Sequence, residues 1–253
     1  MIHEDRRSIP LQWGMLLFLF LLMPLCHIFS FSLEPMSVSV SDTGTGTVAT
    51  FRLVNDSQER IALRIRITTR EMAEDGTETN KDVPESTFLV FPARFVLEKG
   101  AQQALKVQWR GGPVGSTERA FRIVAEQVPV VFEKAQGSGI TLLFKYVGAL
   151  YVVPPKASPA DISVSSVEGT SEKGVGGFLV RLENRGGTHG ILVDTVLQIS
   201  QDGQKKFILA TSALTAMEGQ NVLAGMTRRF FIPFSEAREG QRYEGLVTYN
   251  AER

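Results

Sequence analysis

From Leu33 onward apolar side chains recur at every second position, in runs about ten to fifteen residues apart, and nowhere hold a helical spacing over any length. A strand points successive side chains to opposite faces, so a period of two maintained this way builds sheets and not helical bundles. The predicted fold class is all-β.

The clearest run is 61–69, where Ile61, Leu63, Ile65 and Ile67 share one face and Arg64 and Arg66 the other, a strand with one wet side. Before it, Val38 and Val40 alternate with serines, and Ala49, Phe51 and Leu53 alternate through 48–55, which a turn at Asn55-Asp56-Ser57 closes. A polar excursion, 71–85, has its tip at Asp75-Gly76, and its carboxylates, such as Glu71 and Glu74, read as solvated. A short strand over 88–91 is stopped by Pro92, and Leu105, Val107 and Trp109 alternate in the next. Residues 117–131 follow, with Pro129 breaking the ladder near their end, and a short connection at 133–139 leads into 140–153. These are seven strands, the number in a small immunoglobulin-like sandwich.

The last of them, ITLLFKYVGALYVV, holds Ile140, Leu142, Phe144, Tyr146, Leu150 and Val152 on one face, with Gly148 a gap. Leu143, Val147, Ala149, Tyr151 and Val153 lie on the other with Thr141 and Lys145. At ~3.3 Å per residue it could reach ~45 Å, far beyond an ordinary strand. Both faces call for burial and one sandwich covers only one. Two readings follow: the second face meets a neighbouring domain, or part of the strand awaits a partner chain.

Pro154, Pro155, Ala157, Ser158 and Pro159 form a stiff joint, after which a second strand series runs through 162–164, 178–182, 193–200, 207–210, 229–234 and 243–249. The expected organisation is a leader over 1–32, one sandwich over 33–155 and a smaller one over 156–253, with a cleft between them. The leader is an apolar run at 11–25 behind Arg6 and Arg7, too short to span a bilayer comfortably, with small residues at Ser30 and Ser32. Cleavage is placed after Ser32, with Ser30 as the alternative. Leu25 is bulky where a lipidation signal at Cys26 needs a small residue, and without the leader the chain has no cysteine. An exported protein without disulfides follows, with no membrane insertion after cleavage. Its 27 basic and 27 acidic residues balance, so nothing marks nucleic acid as a partner.

Catalytic chemistry has no foothold. His189 is the one histidine after the leader and sits beside glycine in a turn, where a solvated side chain is the ordinary reading. There is no G-x-S-x-G and no glycine loop opening a helix. The glycines at 111–112, 174–177 and 186–187 read as turn residues supplying positive φ. No catalytic residue, metal or cofactor is expected.

The segments Glu118-Arg119-Ala120-Phe121-Arg122-Ile123 to Val128-Pro129, then 140–154, resemble the sixth and seventh strands of the periplasmic pilus chaperones, the PapD-like family. Phe31-Ser32-Leu33-Glu34, Leu53-Val54-Asn55-Asp56 and Leu182-Glu183-Asn184 are similar too. The resemblance implies two immunoglobulin-like domains meeting at an angle and a seventh strand lent to a pilus or fimbrial subunit that lacks one of its own. It implies delivery to an outer-membrane usher from the periplasm, without nucleotide. Counted back from Pro154, the donor positions fall on Ile140, Leu142 and Phe144, the residues that alternation alone places on one face. Burying three such side chains contributes roughly 1.5–3 kcal/mol each before ordering costs. The family's arginine and lysine anchor for a subunit carboxylate falls here on Ser37 and Ala149, so Arg122, with Lys145, is the candidate substitute. The short 133–139 connection is similar to members with a short loop before the donor strand.

The alternative of another class is an exported structural or adhesive two-sandwich protein of the envelope or fibre. A carbohydrate-binding module would need exposed aromatics, whereas the two tryptophans, Trp13 and Trp109, fall in the leader and in a strand.

Overall fold

A computed structural model describes residues 30–130, 142–201 and 203–252. The expected leader up to position 29, the 133–139 connection and Ile140 lie outside these residues. The chain opens with β1 (Phe31–Glu34) and β2 (Ser37–Ser41), followed by β3 (Val48–Asn55) and β4 (Ile61–Thr69). A small hairpin, β5 (Glu71–Met72) and β6 (Glu78–Thr79), turns at Asp75-Gly76 as its composition predicts. Then come β7 (Phe88–Phe91), β8 (Arg94–Leu97), β9 (Gln102–Trp109), β10 (Arg119–Val128) and β11 (Lys145–Val153).

Two sheets face each other, ordered β1-β3-β9-β7 and β2-β11-β10-β4-β8. Two of these strands, β1 and β8, lie beyond the seven expected, each near a proline. β1 pairs with β3, and past Pro35 β2 pairs with β11 in the other sheet. Pro92 ends β7 as expected, and the chain then crosses to the other sheet. A proline has no N–H to extend the ladder with β9, and two residues later Arg94–Leu97 pair with β4 in the other sheet.

The sheets close on Phe51, Leu53, Leu63, Leu105, Phe121, Ile123 and Leu150, all fully buried. Phe88 meets Trp109 and Phe121 edge-on, each at 5.0 Å between ring centres, a geometry that adds about 0.5–1.5 kcal/mol per pair beyond burial. Trp109 is buried with its Nε1 donating to Gly112 O at 2.8 Å, and is no sugar platform. Phe31 lies in this core as well, so cleavage at the expected site after Ser32 would take a core ring away, whereas the alternative after Ser30 would leave β1 whole.

The second domain has β12 (Ile162–Glu172), β13 (Val175–Asn184), β14 (Gly190–Gln201), β15 (Gln204–Leu209), β16 (Asn221–Val222), β17 (Thr227–Pro233) and β18 (Arg242–Glu252). They form one hydrogen-bonded path, β15-β14-β18-β12-β13-β17, with β16 also on β14. Irregular register at Val164/Ser166, Val193/Val196 and Ile199/Ser200 bends its strands, as bulges do. The path encloses Phe178, Val180, Leu182, Leu197, Ile199 and Ile232.

One device recurs at equivalent strand ends. Asn55, fully buried, donates to the carbonyls of Glu59, Leu97 and Glu98, and Asn184 donates to those of Thr188 and Val222. Each side-chain oxygen accepts from the turn that follows, from Ser57 N or Gly186 N.

Of the glycines expected in turns, Gly112 and Gly174 have positive φ. Gly186 and Gly187 serve another purpose, since a Cβ on either would collide with backbone at Pro159, Ser116 or Ser158 where the two domains approach. Gly176 and Gly177 lie within β13, not between strands.

Candidate functional site

β11 is paired along one side and only partly along the other. Its ladder with β10 runs from Lys145 opposite Glu126 to Val152 opposite Arg119, and Gln127 N extends it by donating to Phe144 O at 2.9 Å. The parallel ladder with β2 begins at Ala149 opposite Ser37 and ends at Val153 opposite Ser41. Ala149 N donates to Met36 O at 2.7 Å, and the close approach leaves no room for a side chain at Gly148, where a Cβ would sit 3.0 Å from the same carbonyl. Below that glycine no strand among the described residues pairs with the β2 side of β11. By alternation from Ala149, Val147 and Lys145 present their N–H and C=O groups there.

The regular strand is shorter than the expected 140–153. β10 ends at Val128, because Pro129 has no N–H to give, and the ladder on that side stops with it. The side chains change along the strand in step. Leu150 and Val152 are fully buried, Tyr146 and Phe144 lie half-buried at the margin of the core, and Leu142 is 60% exposed. Tyr146 meets Phe31 edge-on at 4.8 Å. The apolar row thus runs past the end of its own core, and neither Phe144 nor Leu142 is sealed beneath the sheet.

The opposite face of the upper half is the one that meets the second domain. Ala149 and Tyr151 cluster with Met72 and Leu223. The Tyr151 hydroxyl accepts from Arg70 NH1 at 2.7 Å and from Asn221 Nδ2 at 2.9 Å, and burial pushes its pKa up. Its ring stacks on His189 at 3.7 Å with 10° between planes. His189 is therefore not a solvated turn residue. Its Nδ1 lies 2.9 and 3.0 Å from the two oxygens of buried Glu118, and its backbone N donates to Glu118 at 2.7 Å. The reading in which the second face meets a neighbouring domain holds for the upper half of the strand.

The β5–β6 hairpin reaches across the same junction. Arg229 N donates to Glu74 O at 2.7 Å, and Arg228 donates to Asn221 O at 2.7 Å and to Met72 Sδ at 3.1 Å. Glu74 also pairs with Arg181, so the excursion read as solvated is a strap between domains.

Ser37, Ala149 and Arg122 stand in one row across β2, β11 and β10. The positions that the resemblance aligns with the family's anchor therefore stand side by side, with Arg122 next to them. Arg122, however, holds a carboxylate of its own chain, with Nε 2.9 Å from Glu78 Oε2 and NH2 2.5 Å from Oε1. Lys145 is exposed and faces Glu126, which Arg64 and Arg66 hold. Burial alone would raise the Glu126 pKa, but the hydrogen bonds and charges of those two arginines outweigh it and lower it. Arg122 is thus ion-paired with Glu78, while Lys145 stands beside a different group, Glu126 with Arg64 and Arg66. Glu78, Glu118 and Tyr151 escaped the sequence reading, since Arg122, His189 and Arg70, which they respectively meet, lie 44, 71 and 81 residues away in the chain and no local pattern signals them.

Residues 32–158 match the family described as pili and flagellar-assembly chaperone, PapD N-terminal domain. The chain belongs to this family. It is a family of chaperones, not of enzymes. No curated protein matches the sequence. Among solved PapD-like folds, the class 5 fimbriae chaperone CfaA is 15% identical with a TM-score of 0.53, covering 88% of this chain and 100% of that one. The E. coli chaperone DraB is 15% identical at 0.52, covering 87% and 96%. A chain from the Salmonella enterica complex of SafA pilin with the SafB chaperone is 15% identical at 0.51, covering 88% and 98%. At these identities the likeness is one of fold, and it takes in both domains of the PapD-like chain. Among the described residues no helix is long and apolar enough to cross a membrane.

Proposed function

We propose that this PapD-like chaperone works in the periplasm, lends the lower half of β11 to a fimbrial subunit missing a strand, and passes it to an outer-membrane usher. The single observation that carries the reading is the open side of β11 below Gly148, where the ladder with β2 stops while the apolar row continues. Main-chain groups of Lys145 and Val147 supply the pairing, and side chains projecting beyond the chaperone's own core supply the pockets' contents. Leu142 and Phe144 are those side chains, with Ile140 continuing the row by alternation. Such an edge left bare invites aggregation, and the subunit's incomplete sandwich carries the complementary liability. Pairing the two covers both. Arg122, with Lys145 lower on the strand, remains the candidate contact for a subunit carboxylate.

The SafB neighbour is described in complex with a pilin, and carrying that kind of partner over to this chain is part of the proposal. Diluting a denatured pilin into buffer containing the purified chaperone tests it. The expected result is a soluble one-to-one complex. A pilin that aggregates as it does alone contradicts the reading.

A further inference from the structure

Three guanidinium groups, Arg70, Arg122 and Arg228, come together beside the junction, and Glu78 is the carboxylate bonded to the first two. Arg122 grips Glu78 through two parallel bonds, the strongest arrangement an arginine makes. Arg70 adds Nε and NH2, each 2.9 Å from Glu78 Oε1, and spends NH1 on Tyr151. Both oxygens of Glu78 are in use. Burial alone would raise its pKa, but Arg122 and Arg70 together hold it below the usual carboxylate range, so it stays ionised.

Glu78 is not a roaming side chain. It sits in the β5–β6 ladder opposite Met72, and that strap is fastened to the second domain through Glu74. A carboxylate tethered in place has an effective concentration on the order of millimolar or above, so a free one competes with it poorly. The Arg122 fork takes one carboxylate in this manner, and its position beside Ala149 and Ser37 is the place where a subunit's terminal carboxylate would come.

We propose that Glu78 is a resident counter-ion in the carboxylate seat, so that a cargo carboxylate reaches Arg122 only by displacing it and capture runs on the strand edge. The inference rests on the strand-donation reading for the purpose of the seat, but not for its occupancy. It makes this chaperone tolerant of how a subunit's chain ends. It also couples any displacement to the strap, because the hairpin that carries Glu78 is the one that clasps the second domain.

Acetate is the probe, read through the arginine Nε–Hε resonances of the intact protein, with chloride at equal ionic strength as the control. In the wild type the Arg122 and Arg70 signals are expected to stay in place up to about 50 mM acetate, because Glu78, held in register on a strand, has an effective concentration well above the millimolar value of a flexible tether. In Glu78→Gln they are expected to move saturably, with at least tenfold tighter binding. Wild-type signals that shift as the variant's do overturn the proposal, and so does a variant that ignores acetate. Should Glu78→Gln not fold, Glu78→Asp, with its carboxylate retracted by one methylene, is read in the same way. A protein that behaves as expected here yet fails to hold a pilin refutes strand donation and leaves the occupancy of the seat intact.

Discussion

Replacing Leu142 by glutamate is expected to weaken capture of a pilin about a hundredfold or more while leaving the free chaperone as stable as before. A buried leucine contributes about 1.5–3 kcal/mol, and a carboxylate forced into the same apolar pocket adds a desolvation cost. Together these exceed the 2.8 kcal/mol or so that corresponds to a hundredfold. The side chain is 60% exposed in the free protein, so the fold loses little, within about 0.5 kcal/mol. Phe144→Glu should also abolish capture, but Phe144 is half-buried against the core and its replacement destabilises the first domain as well. The contrast between the two variants separates the loss of a pocket-filling side chain from the loss of folding. Titration of a denatured pilin with each variant, alongside thermal unfolding of the variants alone, provides the comparison. Leu142→Glu that captures as well as wild type removes Leu142 from the donated row.

The second large effect is expected at the domain junction. Glu118 has a side chain only 2% exposed and accepts both the backbone N–H of His189 and its ring nitrogen. Glu118→Ala leaves these groups buried without their partner, at a cost of about 2–4 kcal/mol. That cost falls on the contact between domains, because each sandwich keeps its own core. Calorimetry should resolve the second domain's unfolding from the first's, and solution scattering should show a broader spread of domain angles. If the variant melts as one unit at the wild-type temperature, the Glu118, His189 and Tyr151 arrangement does not set the angle. The strap, through Glu74 to Arg229 and Arg181 and through Met72 to Arg228, would then be what holds it.

The strands that the sequence reveals best are those with one wet face. β3 and β4 have the bounds that alternation predicts, because Ile61, Leu63, Ile65 and Ile67 differ so plainly from Arg64 and Arg66. β8 was illegible for a physical reason. Pro92 terminates one ladder, and only the facing sheet, distant in sequence, reveals that Arg94–Leu97 find another partner in β4. The apolar row of β11 was legible in two respects: its face follows from the period of two, and the strand's upper end from Pro154. Its lower end was not. The regular strand stops at Lys145 because β10 runs out at Pro129, a limit set by the neighbour and not by the segment itself.

Charged side chains were harder to assign than apolar ones. Apolar periodicity reports which way a side chain points, whereas the partner of a charge depends on folding brought about by other residues. Arg122 could be placed on the right row, but its bond to Glu78 needed the hairpin to fold back across β10's face. His189 likewise had no local signal, since Glu118 and Tyr151 come from the first domain. The two glycines before it, Gly186 and Gly187, carried the one available hint, for they admit the close approach of the first domain to this turn.

Amide hydrogen exchange of the chaperone, free and bound to a pilin, tests the central claim most directly. The N–H groups of Val147 and Lys145 face the open side of β11 and should exchange rapidly in the free protein. In the complex they should become as well protected as Ala149, whose N–H is already bonded to Met36. If the complex forms while Val147 and Lys145 continue to exchange as before, the subunit is held elsewhere and no strand is lent.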